Sequence, residues 1–332
     1  MRINKEVISL SKCSNVIFIG NGSTDSCFLS NKNVEIFLFK ERRNSFLSFL
    51  KQYILLIKLF CSKRIHSLHI INENLLFVFF PFTIFKRTVL DIFDSIFLKA
   101  NRPGEKLALI KQIVYSTSNI ILVTDVHRMK LMPERIRYKC RILPNYPIIE
   151  KEVISVKQKN ESLVIIYYGW MGLNRGTEII EGLINTGNPI KIIMAGWFSD
   201  NYTRDLPHKY SQIDFRGVVP QKTAMKWAEE EADYILCVYS PINTNNIYAS
   251  PNKIYDAIHT NTPVLINKEV KVSELVTELG IGLVINSYQV LDYSELYSQL
   301  KYAKGIFSWS FELAKEFSWN KIEFVLIKSH CI

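Results

Sequence analysis

The chain has 332 residues, 48% of them hydrophobic and 22% charged, with six cysteines. That composition excludes a disulfide miniprotein, a collagen-like chain and a disordered tail, and the length holds one large domain or two of ordinary size. A mean hydropathy of +0.06 argues against a polytopic membrane protein. The formal net charge of +10 is uneven: residues 1–148 carry 23 Lys+Arg against 10 Asp+Glu, residues 149–332 carry 18 against 21. Such asymmetry points the first half at an anionic surface, either nucleic acid or the cytoplasmic face of a membrane.

The first residues, MRINKEVISLSKCS, have no long apolar core and no small-residue cleavage site, so no secretion signal is expected. The cysteines (13, 27, 61, 140, 237, 331) form no Cys-x-x-Cys pair and no metal-ligand spacing, and read as reduced thiols of a cytosolic protein. Along the chain, short apolar runs at 16–19, 34–39, 68–71, 88–92 and 120–123 alternate with longer segments. After residue 148 the pattern restarts, with strand candidates at 163–168, 190–195, 213–215, 234–238, 263–266 and 282–285. Strands separated by helices predict parallel α/β sheets, and two such series predict two doubly wound domains. The boundary is expected near Pro144-Asn145-Tyr146-Pro147, followed by a charged linker to residue 161. No repeat and no low-complexity tract is present.

Residues 42–64 form an apolar segment with basic ends, and Lys51 and Lys58 lie seven apart on one helix face. It is too short and too charged to span a bilayer. Two readings stay open: a helix packed on its own sheet, or one lying on a membrane. The run at 74–85 is also very apolar, but Pro81 breaks it.

Three constellations in the second half bear on chemistry. Gly169-Trp170-Met171-Gly172-Leu173-Asn174-Arg175-Gly176 leads from a strand into a helix at 177–183. Glycines let backbone approach a ligand, a helix N-terminus offers free N–H groups to phosphate, and Arg175 adds a charged fork. Purely structural glycines are an equal alternative. Next, Ser250-Pro251-Asn252-Lys253 opens a helix, with Ser250 as N-cap and Pro251 in the first turn. Lys253 and Asp256 share a face there, suited to a phosphate and a ribose diol, or to an ordinary ion pair. Last, a helix at 319–327 led by Trp319 reads as packing. His66 and His69 read as structural, His259 as a helix-surface residue, and His127 follows a helix cap at Thr124 or Asp125. Glu178 and Glu181 read as a solvated face.

The order of these pieces carries a resemblance. Gly169-x-x-Gly172-x-x-Arg175-Gly176, Met194-Ala195-Gly196, Phe215-Arg216-Gly217-Val218, Ala232-Asp233, Ser250-Pro251-Asn252-Lys253-x-x-Asp256-Ala257, Thr262-Pro263-Val264 and Ser318-Trp319 together resemble the C-terminal domain of retaining, nucleotide-sugar-dependent GT-B glycosyltransferases, in a "Pro-Asn-Lys" subgroup. The likeness covers about 155–325. The first half is more weakly similar, through Gly20 and Gly22, 89–92 and 143–145.

The resemblance implies an α/β chain of two doubly wound Rossmann-like domains facing a cleft, with a C-terminal helix crossing back to the first domain. Residues 1–148 would bind the acceptor, 149–310 the nucleotide-sugar donor, and 311–332 would form the returning helix. Gly172, Arg175, Gly196, Ser250, Asn252, Lys253 and Asp256 would contact the donor, with Arg175 on the diphosphate and Asp256 on the ribose. Gly20 and Gly22 would shape the cleft loop, and Asp91 and Asp94 would orient the acceptor. The sequence departs from the family at three points. Tyr248 replaces the first Glu of Glu-x7-Glu, Phe93 or Asp94 stands where a His is usual, and Trp170 replaces an Arg.

The activity implied is that of a hexosyltransferase-like enzyme that retains configuration. With no Asp-x-Asp motif, metal-independent transfer and no cofactor are expected. Arg175, Lys253 and a helix N-terminus would stabilise the leaving diphosphate. The basic half and its apolar helix suit a lipid-linked or oligosaccharide acceptor in bacterial surface polysaccharide synthesis (capsule or O-antigen), with the protein cytoplasmic or peripheral on the inner membrane face. The main alternative is a non-catalytic, glycosyltransferase-like partner subunit. A sugar-nucleotide epimerase lacks its cleft carboxylates and His here. A nucleic-acid module is disfavoured by dispersed charge and the absence of a binding motif. Gly20-Asn-Gly22 lacks the third glycine of a dinucleotide fingerprint.

Overall fold

The computed structural model describes residues 2–22, 33–42, 45–99, 105–149 and 161–330, the side chains of 99 and 105–108 excepted. In chain order the first elements are α1 (Arg2–Ser11), β1 (Val16–Asn21), β2 (Val34–Phe39), α2 (Phe46–Ser62), β3 (Ser67–Ile71), α3 (Asn72–Phe85) and β4 (Arg87–Ile92). Then come α4 (Ile96–Lys99), α5 (Glu105–Ser116), β5 (Ile120–Val123), α6 (Val126–Lys130), α7 (Glu134–Arg137) and β6 (Cys140–Ile142). The second series runs β7 (Leu163–Met171), α8 (Thr177–Asn185), β8 (Ile190–Phe198), α9 (Asn201–Lys209), β9 (Ile213–Phe215), α10 (Gln221–Glu231), β10 (Tyr234–Leu236) and α11 (Thr244–Ile247). It ends with α12 (Asn252–Thr260), β11 (Val264–Asn267), α13 (Ser273–Leu279), β12 (Gly282–Ile285), α14 (Tyr293–Ala303), α15 (Phe311–Glu316) and α16 (Trp319–Ser329). Every strand candidate read from sequence is a strand; β6 was not foreseen, because Arg141 interrupts its apolar run. The expected linker lies, but for Glu161, outside the described residues.

The chain divides into two compact units, Met1–Asn145 with Trp319–Ile332, and Tyr146–Ser318. The first boundary falls three residues before the expected 148/149. The expected 311–332 piece is two helices, α15 in the second unit and α16 in the first, broken at Phe317 and Ser318.

In the first unit all pairings are parallel, but the strands form two sheets, β1-β2 and β3-β4-β5-β6. On one face of the larger sheet Leu90 and Ile121 pack with Leu76 and Tyr115; on the other Val89 and Leu122 pack with Leu10, Trp319 and Leu326. Alternate residues thus point into two apolar layers, as a parallel sheet covered on both faces requires. The Trp319 indole N–H donates to Ser9 Oγ at 2.9 Å, tying α16 to α1.

The apolar segment with basic ends is the helix α2. Ser45 caps it, and its buried residues are Ser48, Gln52 and Leu59. Ser48 and Gln52 bond the Asn21 side chain, while Phe46, Leu47, Leu50, Ile54 and Ile57 are exposed. Two of the three buried residues are thus polar, while five large apolar residues face outward. The run at 74–85 is helical despite Pro81, with a kink at Phe79 where the ring crowds the preceding turn. It exposes Phe77, Phe80, Ile84 and Phe85. Tyr53 and Phe60 of α2 pack on Phe82 of α3, so the two exposed faces neighbour one another.

The second unit is one six-stranded parallel sheet, ordered β12-β11-β10-β7-β8-β9. Leu163, Ile165 and Tyr167 of β7 face α8 and α14; Val164, Ile166 and Tyr168 face α10, α12 and α13. The chain steps from β7 to β8 and β9 on one side, then returns to β10 and onward on the other. Strand order therefore reverses between β7 and β10, and a ligand crevice belongs at the carboxyl ends of those two strands.

Candidate nucleotide-binding site

The loop after β7 sits at that reversal. Its backbone is held from several sides. Gly172 N–H donates to Tyr167 Oη at 2.9 Å, Leu173 N–H to Asp200 Oδ2 at 2.9 Å, and Asn174 N–H to Glu178 Oε1 at 2.8 Å. Gly176 N–H donates to Tyr288 Oη at 3.2 Å, and Tyr288 in turn donates to Glu178 Oε2 at 2.6 Å. These N–H groups are thus spent on the protein. A Cβ on Gly172 would lie 1.7 Å from Ser199 Oγ, and one on Gly196 would lie 2.1 Å from the Gly169 carbonyl. Both expected donor-contact glycines have a packing reason, and the structural alternative accounts for them.

Arg175 and Lys253 differ from the glycines. The Arg175 guanidinium lies 5.5 Å over the ring of Tyr239, which follows β10. The Lys253 ammonium lies 5.1 and 5.5 Å from the ring centroids of Tyr167 and Tyr168 of β7. Among the described residues neither cation makes an ion pair. Burial lowers the Lys253 pKa, and the Arg175 charge lowers it further. Two cations repel one another here at a strand-order reversal, beside the N-terminus of the nine-residue helix α12. That is an arrangement an anion relieves.

Around them the expectations are redistributed. Ser250 does not cap α12; Pro251 occupies the N-cap and no side chain bonds the first N–H groups. Asn252 is exposed at the first helical position. Asp256 is buried, accepting from Tyr168 Oη at 2.7 Å and from Gln221 Nε2 at 2.8 Å. It holds its own sheet and α10, and its neighbourhood pushes the Tyr168 hydroxyl well above the usual range through burial and the Asp256 charge. A ribose diol would have to displace these partners. Cys237, buried beside Lys253, is pushed up to about 12 by desolvation. Glu178, read from sequence as a solvated face, proves to staple the loop that carries Arg175. Its place in the first turn of α8 was the available signal.

The remaining expected residues lie in the first unit. Asp91 is fully buried at the end of β4, 2.6 Å from the Arg2 guanidinium, and is shielded from any acceptor. Asp94 follows in a loop whose Phe93 and Asp94 N–H groups donate to Asn72 Oδ1 at 2.9 and 3.1 Å. Gly20 lies within β1, and Gly22 N–H donates to the Phe39 carbonyl at 3.1 Å. Asp125, not Thr124, caps α6. His259 Nε2 lies 2.9 Å from the Phe317 carbonyl oxygen, so it anchors the chain before α16 rather than facing solvent alone.

No family model matches the sequence, and no curated protein matches it. Solved structures do. Sucrose-phosphate synthase of Thermosynechococcus elongatus matches with a TM-score of 0.70 at 12% identity, over 98% of this chain and 90% of that one. A glycosyltransferase of Rickettsia africae matches at 0.67 and 12%, over 99% and 89%. HepE of Anabaena, solved in complex with UDP, matches at 0.64 and 10%, over 95% and 99%. The chain has the GT-B fold. In GT-B terms the second unit holds the paired cations, and at these identities the likeness speaks for the fold alone.

Proposed function

We propose that the chain is a glycosyltransferase that takes a sugar from a nucleotide-diphosphate donor to an acceptor hydroxyl. The observation that carries this is the convergence of Arg175 and Lys253, neither of them in an ion pair among the described residues, at the reversal of the second unit's sheet. A diphosphate gains negative charge as it leaves, and preorganised cations stabilise that change without metal or proton transfer. Trp170 stands where the resemblance expects an Arg, which leaves Arg175 and Lys253 as the cations of the proposed site. Retention of configuration rests on the resemblance. Asn252 and Ser250 are the neighbours that would meet the donor beside Lys253.

A lipid-linked acceptor is the reading favoured by α2 and α3. Phe46 is 82% exposed, Phe85 73% and Ile84 67%, and Lys58 and Arg64 stand beside them in the basic half. Amphipathic helices of this kind lie on anionic bilayers. No helix among the described residues is long and apolar enough to cross a membrane. The protein would then work at the inner membrane face on surface glycans.

Thermal-shift screening against UDP, GDP, dTDP and CMP sugars tests the donor site, with Arg175→Ala beside wild type. Stabilisation by one nucleotide class, lost in the variant, supports it. Binding without transfer to any lipid-linked acceptor would favour the partner-subunit reading, and no binding at all would remove the donor assignment.

A further inference from the structure

A second polar centre lies in the first unit, away from the paired cations. Glu6 of α1, His69 of β3 and Asp91 of β4 turn three ligand atoms toward one point. His69 Nε2 is 3.5 Å from Glu6 Oε2 and 3.7 Å from Asp91 Oδ2, and all three atoms lie within 4.8 Å of one another. Each is buried and without a hydrogen-bond partner, in a structure whose buried polar atoms are nearly all paired. Glu6 is 2% exposed and Asp91 0%.

The other atoms of these side chains are fully committed. Arg2 Nε donates to Glu6 Oε1 and Arg2 Nη2 to Asp91 Oδ1, both at 2.6 Å, and Arg2 Nη1 donates to the Leu143 carbonyl at 2.7 Å. One oxygen of each carboxylate is thereby fixed and the other left over. His69 Nδ1 is 3.1 Å from His330 Nε2, and His330 Nδ1 is 2.8 Å from Ser67 Oγ. With His330 donating to Ser67 and accepting from His69, the lone pair of His69 falls on Nε2, facing the two carboxylate oxygens. Three acceptors so placed repel one another unless a cation stands between them. This pattern, ligands each oriented by an outer hydrogen bond, is that of metal sites.

We propose that Glu6, His69 and Asp91 bind a divalent transition ion of the zinc class. A zinc ion about 2.0–2.1 Å from nitrogen and oxygen ligands leaves roughly 3.3–3.5 Å between neighbouring ligand atoms, close to the two shorter separations here. Three protein ligands leave a fourth position. Glu6, His69, Ser67 and His330 also line a cavity of about 1060 Å³ between β1 and β3, from which a water or an exogenous ligand reaches that position. The ion would pin α1 to the neighbouring strands β3 and β4. The rival occupant is a proton on His69 Nε2, which at 3.5 and 3.7 Å lies beyond hydrogen-bond length of both carboxylates.

The test uses the full chain, stripped with chelator and titrated with Co²⁺ and then Zn²⁺, with metal content measured after gel filtration. The expected result is one ion per chain, a visible tetrahedral cobalt spectrum without a thiolate band, and a melting temperature that falls on chelation. Glu6→Gln and His69→Gln should each weaken binding at least tenfold, with far-ultraviolet circular dichroism as the check on folding. The wild-type titration needs no variant. A wild-type chain that takes up no cobalt at micromolar concentration overturns the proposal and leaves the proton in place. Uptake equal in wild type and His69→Gln, or uptake with a thiolate band, overturns it as well by assigning the metal to the cysteines.

Discussion

Replacing Lys253 by methionine removes its charge, keeps an unbranched side chain and shortens it by one heavy atom. In the unliganded protein two effects oppose. The variant loses cation–π contacts to Tyr167 and Tyr168, at 5.1 and 5.5 Å, each about 0.5–2 kcal/mol. It also relieves the burial and Arg175 repulsion that lower the Lys253 pKa. The net change in stability is therefore expected within about 1 kcal/mol. Nucleotide binding has no such compensation: a lost charge-assisted hydrogen bond costs about 1.5–3 kcal/mol, or roughly 10- to 150-fold in Kd. At 100 times the wild-type Kd, the nucleotide stabilises wild type by about 2.7 kcal/mol. With Kd raised about 50-fold the same concentration yields only about 0.65 kcal/mol. For a unit of this size that is a thermal shift of about 5–10 °C shrinking to about 1–3 °C. Calorimetric titration beside differential scanning fluorimetry reads both numbers. A Kd changed less than threefold in both Lys253→Met and Arg175→Ala would refute the paired-cation site.

The same lysine sets a pH dependence. Its folded pKa lies below 10.5, so its charged form is disfavoured by folding: stability is reduced below the folded value and recovers as pH rises through it. Nucleotide affinity runs the opposite way, weakening before pH 10.5 in wild type and showing no such step in Lys253→Met, as titrations across alkaline pH will show. Tyr168→Phe leaves one hydrogen bond to the buried Asp256 unmade and should cost about 1–3 kcal/mol in chemical denaturation; a cost below 0.5 kcal/mol would count against a structural Asp256. Gly196→Ala forces a Cβ against the Gly169 carbonyl at φ +134° and should cost about 3 kcal/mol or more, with expression or melting as the readout. Replacing Phe46, Ile54 and Ile57 together by serine should leave melting nearly unchanged while abolishing flotation on anionic liposomes. Equal flotation of the variant would detach α2 from membrane binding.

Much of the fold was legible because its strands are buried on both faces. Runs such as 163–168 and 120–123 are continuous apolar segments of strand length, and nothing else in a chain of this composition demands them. The division near Pro144 and Pro147 was legible for the same kind of reason, since proline stops regular structure. The start of α16 at Trp319 was legible as well; its separation from α15 into another unit was not, because no proline or glycine marks Phe317 and Ser318. Of the expected site, Arg175 and Lys253 stand near the strand-order reversal without an ion pair among the described residues, while the glycines and Asp256 have structural partners of their own. Close packing and phosphate contact ask for the same residues, so sequence alone does not separate the two uses. Gly196 is small because a carbonyl lies over it, and Asp256 is acidic because Tyr168 and Gln221 donate to it.

Local sequence by itself determined what depends on near neighbours: strand and helix positions, a helix cap at Thr124 or Asp125, and the placing of two cations at the starts of helices. Only the tertiary structure decided what depends on residues far apart in the chain. Arg2, Glu6, His69, Asp91 and His330 form one buried network although 89 positions separate Arg2 from Asp91 and 261 separate His69 from His330. His69 carried no local signal of it, because its partners come from another helix, another strand and the chain's last turn. The outward face of α2 was equally hidden. Which side of a mixed helix turns inward is set by what waits there, and Asn21 offered hydrogen bonds that only Ser48 and Gln52 could answer.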